Sequence, residues 1–141
     1  MNTENNLSEE QLLEQLAKET NKYALGAILS KIAKLTLPPA ADITPIIECT
    51  KSERWLVRHS AIQALGASNS DAARRALREW LSLEDEKEYK YELIYANVAM
   101  TRIGQVDDIP YIEKHIKSRF RDVRGSAEWA MDAVRSRNGK K

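Results

Sequence analysis

The chain repeats itself at a spacing of 66 residues. Asp42-Ile43 returns as Asp108-Ile109, Ile46 as Ile112, and Ser52 as Ser118. Val57-Arg58 returns as Val123-Arg124, Ser60-Ala61 as Ser126-Ala127, and Ala64 as Ala130. Polar and apolar steps recur in the same register. A spacing of 66 is twice the roughly 33-residue unit of helical repeat arrays. One helix pair cannot bury its apolar stripe alone, so the pairs of an array must stack into a shared core. An array is foremost a surface for holding something, and the recurrence argues first for a binding protein.

Helical periodicity runs through the chain. Ser8 and Gln11 form a capping-box pattern ahead of Leu12, Leu13 and Leu16, which predicts a helix near 8–19. Leu25, Ile28, Leu29, Ile32 and Leu35 form an i, i+3, i+4 stripe over 21–36, stopped by Pro38-Pro39. A second pair is read over 42–51 and 53–66, with Asp42 as N-cap and Gly66 as C-cap. A third runs over 70–83 and 88–104 and closes at Gly104. A fourth runs over 108–118 and 120–136. No segment alternates with period two for long enough to read as a strand. The expected architecture is an all-α, short right-handed α-solenoid of about four antiparallel pairs. It is one domain over 1–141, with 8–36 as a capping pair and 42–66, 69–104 and 107–137 as repeat units.

Composition narrows the class. The 141 residues are 43% hydrophobic and 30% charged, a folded, helix-leaning balance. No apolar run approaches the ~20 residues that cross a bilayer. The acidic, polar first 14 residues do not read as a secretory signal. A lone Cys49 forms no internal disulfide. A cytoplasmic protein without a membrane segment is expected, as a monomer. Net charge is only +1, but it is blocky. Glu4, Glu9, Glu10, Glu14 and Glu19 make the start acidic, as Glu84, Asp85, Glu86 and Glu88 do the middle. Arg119, Arg121, Arg124, Arg135, Arg137, Lys140 and Lys141 make the end basic. Such blocks are either solvated faces with a frayed tail or a bipolar surface that steers a charged partner.

The stretch Val57-Arg58-His59-Ser60-Ala61-Ile62-Gln63-Ala64-Leu65-Gly66 resembles the second helix of a HEAT-like (armadillo-type) repeat, which reads roughly V-R-x-x-A-x-x-A-L-G. The stretch Asp122 to Met131 resembles it again. The PBS-lyase HEAT-like subtype is the form it looks most like. The resemblance is good over 42–136 and weak before, because the first pair lacks the V-R signature. The third pair departs too: Tyr95 stands near the valine position and the arginine is missing. The resemblance implies that Arg58 and Arg124 bond between neighbouring repeats, as structural rather than ligand-binding groups.

Little in the sequence can carry catalysis. His59 and His115 sit on different repeats, and no zinc spacing, phosphate loop or nucleophile elbow is present. Glu84-Asp85-Glu86 reads as a solvated turn and Cys49 as a small core residue. No cofactor and no metal are expected. The stronger signal is aromatic residues off the core stripe. Tyr89, Leu93, Ala96, Met100 and Ile103 make the stripe of the 88–104 helix, which leaves Tyr91 and Tyr95 on another side. Trp129 is also off its stripe, where the earlier repeat has Gln63. The second helices of an array line one continuous surface, so Tyr91, Tyr95 and Trp129 are candidate neighbours there, with Arg121 and Arg135 nearby. Aromatics and arginine are enriched at binding hot spots. The other reading packs Tyr91 and Tyr95 between helices of a twisted array. Trp55 and Phe120 are expected to pack against the preceding turn.

The leading expectation is a non-catalytic protein-binding module, a regulatory adaptor or an immunity protein with a toxin or enzyme as partner. The resemblance implies two alternatives. Some HEAT-like proteins bind DNA, but the acidic middle repels a duplex, and nucleic acid is not the expected partner. Others are phycobilin lyase subunits, whose catalytic group has no evident counterpart here.

Overall fold

The computed structural model describes residues 8–139. Glu4 of the acidic start and Lys140 and Lys141 of the basic end lie outside the described residues. Eight α-helices follow in order: α1 Glu9–Lys18, α2 Lys22–Ala33, α3 Thr44–Cys49, α4 Trp55–Ala64, α5 Asp71–Leu81, α6 Lys90–Ile103, α7 Ile109–Glu113 and α8 Arg121–Arg137. No strand occurs among the described residues. The even-numbered helices pack side by side, α2 on α4, α4 on α6 and α6 on α8. Each odd-numbered helix packs on the even one that follows it. This is a short α-solenoid of helix pairs. The helices of the even layer run the same way: Arg58 of α4 meets Glu92 of α6, and Gly66, just past the end of α4, lies against Ala99 farther along α6.

Local signals set the starts. Ser8 accepts from the Gln11 N–H and Gln11 bonds back to the Ser8 N–H, a complete capping box. Asn21 caps α2 and Ser70 caps α5. Asp42 is displaced by one position from the expected role, because Ile43 is the N-cap of α3. Asp42 Oδ1 instead accepts from the Thr44 N–H (3.0 Å) and hydroxyl (2.7 Å), bonds that hold its carboxyl below the ordinary value.

The recurring residues repeat a tertiary job. Ser52 accepts from the Arg54 N–H and Ser118 from the Phe120 N–H, both at 3.1 Å. Arg58 donates to the Ser52 carbonyl at 2.9 Å and Arg124 to the Ser118 carbonyl at 2.8 Å. Each arginine thereby ties a second helix to the turn that launches it. Ala61, Ala64, Ala127 and Ala130 are fully buried, where small side chains let the layers approach.

Gly104 is the C-cap of α6, as expected, whereas α4 has Leu65 as its C-cap in place of Gly66. Neither glycine is left-handed, since Gly139 alone has positive φ among the described residues. Both are closeness glycines. A Cβ on Gly66 would come 3.3 Å from the Ala99 backbone, and one on Gly104 would come 2.7 Å from Val134 Cγ2. Open carbonyls at the ends of α6 and α2 are met by arginines from distant positions. Arg137 donates to the carbonyls of Met100, Thr101 and Gly104. Arg102 donates to those of Ala33 and Leu35. Helix α2 accordingly stops at Ala33, short of the position expected from Pro38-Pro39.

Glu86 also departs from the solvated-turn reading. It is half-buried, pairs with His115 Nδ1 at 2.7 Å and accepts from the Ser118 hydroxyl at 2.8 Å. His115 is buried and reaches the Leu81 carbonyl through Nε2 at 2.7 Å. The pair pins the acidic loop after α5 onto the last helix pair. Cys49 is half-buried, and burial, aided by Glu48, pushes its thiol up from the ordinary value.

Candidate functional site

One face of the even layer carries exposed aromatic residues. Trp55 is 65% exposed, Tyr91 53% and Trp129 57%. Tyr95 is half-buried between them. Trp55 does not pack onto the preceding turn as expected. It lies one helical turn before His59 and two before exposed Gln63, on the same side of α4. Phe120 is half-buried against the core.

Two adjoining hollows lie on this face, sharing Tyr91 and Tyr95 as the ridge between them. The first, about 400 Å³, is lined by Trp55, Arg58, His59, Glu88, Tyr91, Glu92 and Tyr95. The His59 ring fills part of it, with centroids 5.8 Å from Trp55, 6.1 Å from Tyr91 and 5.3 Å from Tyr95. The second, about 530 Å³, lies between α6 and α8 and includes Tyr91, Tyr95, Val98, Arg121, Gly125 and Trp129 in its lining. The structure thus brings Tyr91, Tyr95, Trp129 and Arg121 together. It does not bring Arg135, which is exposed and outside the lining of both hollows. Sequence reasoning missed Trp55 and His59 at this face.

Under the first hollow sits a buried carboxylate. Glu92 Oε2 accepts from Arg58 Nε at 2.8 Å and from His59 Nε2 at 2.9 Å. Burial raises the Glu92 carboxyl, but the bonds from Arg58, the backbone and His59 outweigh it and hold it below its ordinary value of 4.5. The same trio fixes the His59 ring against the aromatics, so the hollow is shaped in advance. A carboxyl lowered on folding stabilises the fold above its unfolded value, and that contribution disappears as pH falls through the folded value. The stability gap between the parent and Glu92→Gln is therefore expected to be full at pH 7 and to shrink below about pH 4.5. Urea unfolding across pH 3–7 reads it, and a gap that stays constant would contradict the role given to Glu92.

A larger hollow, about 680 Å³, lies at the far end between α1 and α3, lined by Glu9, Glu10, Glu14 and Asp42 with alanine and proline. Its walls hold no aromatic anchor. The exposed rings lie on the even face, which is the stronger candidate.

Residues 9–97 match a family model described as HEAT repeats. The chain belongs to the HEAT repeat family. HEAT repeats commonly mediate protein–protein interaction and typically serve as non-catalytic scaffolds. The match begins within the first pair, where a weak likeness was expected. Its buried Leu12, Leu16, Ile28, Leu29 and Ile32 supply the packing of a HEAT pair without the V-R signature. The last pair, which carries the second V-R, lies outside the matched span. No curated protein matches the chain. No helix among the described residues is long and apolar enough to cross a membrane.

Proposed function

We propose that this HEAT repeat protein is a non-catalytic module that docks a partner protein on the face of α4, α6 and α8. Trp129, Tyr91 and Tyr95 are its anchors and Arg121 its charged rim. Trp55 and His59 extend the contact surface toward the second pair. The observation that carries the reading is the run of Trp55, Tyr91 and Trp129, all more than half exposed, around two hollows on one face. Large rings left in water cost free energy that a covering partner recovers. A cytoplasmic monomer acting as a regulatory adaptor, or as an immunity protein that blocks a toxin, fits this reading. The uneven charge would then quicken association.

Amide hydrogen exchange of the full chain, with and without a partner recovered by pull-down from the native cell, tests the face directly. Protection is expected in 91–98 and 121–129. Protection confined to α1, α3, α5 and α7 would place the partner on the opposite layer and overturn the reading.

A further inference from the structure

Both ring nitrogens of His115 face groups that accept. Nε2 lies 2.7 Å from the Leu81 carbonyl, and Nδ1 lies 2.7 Å from Glu86 Oε2. A carbonyl has no proton to give, so Nε2 must donate. A ring with that one proton turns a bare Nδ1 toward the carboxylate, and lone pairs oppose each other. The Nδ1 contact is therefore a bond only while the pair holds one further proton. The His115 side chain is 2% exposed, so water does not stand in for a lost partner. With the further proton on Nδ1, both Glu86 oxygens accept, one from the ring and one from the Ser118 hydroxyl at 2.8 Å. His59 differs. It is bonded through Nε2 to Glu92 and keeps that bond with a single ring proton.

The charges around His115 are otherwise engaged or in water. On α5, Arg74 and Arg78 pair with Asp71 and Asp108, and Arg75 and Glu79 are exposed. On its own turn, Lys114 donates to the Ser82 carbonyl, while Glu113 and Lys117 are exposed. On α8, Arg124 donates to the Ser118 carbonyl, and Arg121 and Asp122 are exposed. In the 82–89 loop, Glu84, Asp85, Lys87 and Glu88 are exposed, and Asp85 accepts from the Glu88 N–H. Glu86 is the carboxylate that meets the ring. Two residues on, Glu88 lines the first hollow.

We propose that Glu86 and His115 form a proton-operated latch. It holds the acidic 82–89 loop on the 114–118 turn while His115 carries both ring protons. It releases the loop when Nδ1 gives its proton to solvent. The latch is closed on the acid side and open on the alkaline side. It stands whichever face of the array docks a partner.

Two readings of the full chain test it together. Nitrogen-15 magnetic resonance of the His115 ring, from about pH 5 to about pH 9 and so across the ordinary histidine value of about 6.5, counts the ring protons. Exchange of the Glu88 and Tyr89 amides, both bonded to Asp85, reads the loop against the unstructured-chain rate at each pH. Protection is expected to fall with the midpoint of the Nδ1 proton, by up to about tenfold per pH unit, the slope of one proton. The α2 amides are expected to keep their protection, which marks the opening as local. Glu86→Gln removes the titrating partner but not the contact: its amide donates to the bare Nδ1 and its oxygen accepts from Ser118. That variant is expected to protect Glu88 and Tyr89 equally across the range. A ring with one proton while the loop is protected would overturn the proposal, as would a ring that keeps both protons throughout. Loop protection unmoved by loss of the Nδ1 proton, or the same pH dependence in Glu86→Gln, would overturn it too. Should Glu86→Gln fail to fold, the two midpoints of the parent decide alone.

Discussion

Replacing Asp108 with alanine is expected to remove about 3 kcal/mol of stability, near the lower bound for breaking a buried charge pair. Asp108 is fully buried and accepts from Arg78 Nε and from the Gln105 N–H at 2.8 Å, with Arg74 at 4.0 Å. The bond that Arg78 donates to Asp108 is the chief reason Arg78 lies above its ordinary value. Alanine leaves an N–H and two guanidinium groups facing a vacated site. The arginines are partly exposed, Arg78 at 31% and Arg74 at 12%, so water recovers part of the loss. For a chain of this size the change corresponds to about 10 °C in Tm. The exposed partner of Arg74, Asp71 at 88%, supplies the comparison, since surface pairs contribute below about 1 kcal/mol. Urea unfolding of Asp108→Ala and Asp71→Ala side by side checks the contrast. Equal losses would mean that the α5–α7 junction is not held by this carboxylate.

Asp108 also shows how far the sequence could be read. Asp42 and Asp108 are the same letter in the same register, but Asp42 is exposed and serves a local turn. The difference is made by Arg74 and Arg78, one turn apart on α5, and nothing ahead of Asp42 matches them. The recurrence of Ser52, Arg58 and Ala61 was legible because those residues act locally or against the adjacent helix, the same way in each repeat. Gly104 was legible as the end of α6, but the group that meets the carbonyls there was not, because Arg137 lies more than thirty residues away in sequence. Periodicity showed one stripe on α6, yet Glu92 and Asn97 are buried as well, because α6 lies between α4 and α8 and packs on α5. Asn97 uses that position to donate to the Ser126 hydroxyl at 3.1 Å, joining α6 to α8 behind the hollow.

The candidate face was legible at its last two helices and not at its first. Trp129 stood out because the matching residue is glutamine. Trp55 had the needed signal too, at i and i+8 from Gln63 with His59 between, but a tryptophan at a helix start reads equally well as a turn plug. In the sequence His59 stands on a different repeat from His115, with no partner in view. Its role comes from Glu92, thirty-three residues on, which has no place in the V-R pattern.

The affinity of the parent and of Trp129→Gln for the partner recovered by pull-down tests the central claim most directly. Trp129 is 57% exposed on a helix whose core side is Val123, Ala127, Ala130 and Val134, all fully buried. Glutamine already serves at the matching, exposed position 63, so the variant is expected to keep the parent's circular dichroism and unfolding midpoint. Truncating an anchor of this kind costs about 2 kcal/mol or more of binding, about thirtyfold. The account predicts a folded variant that binds about thirtyfold more weakly. A folded variant that binds as tightly as the parent would contradict it.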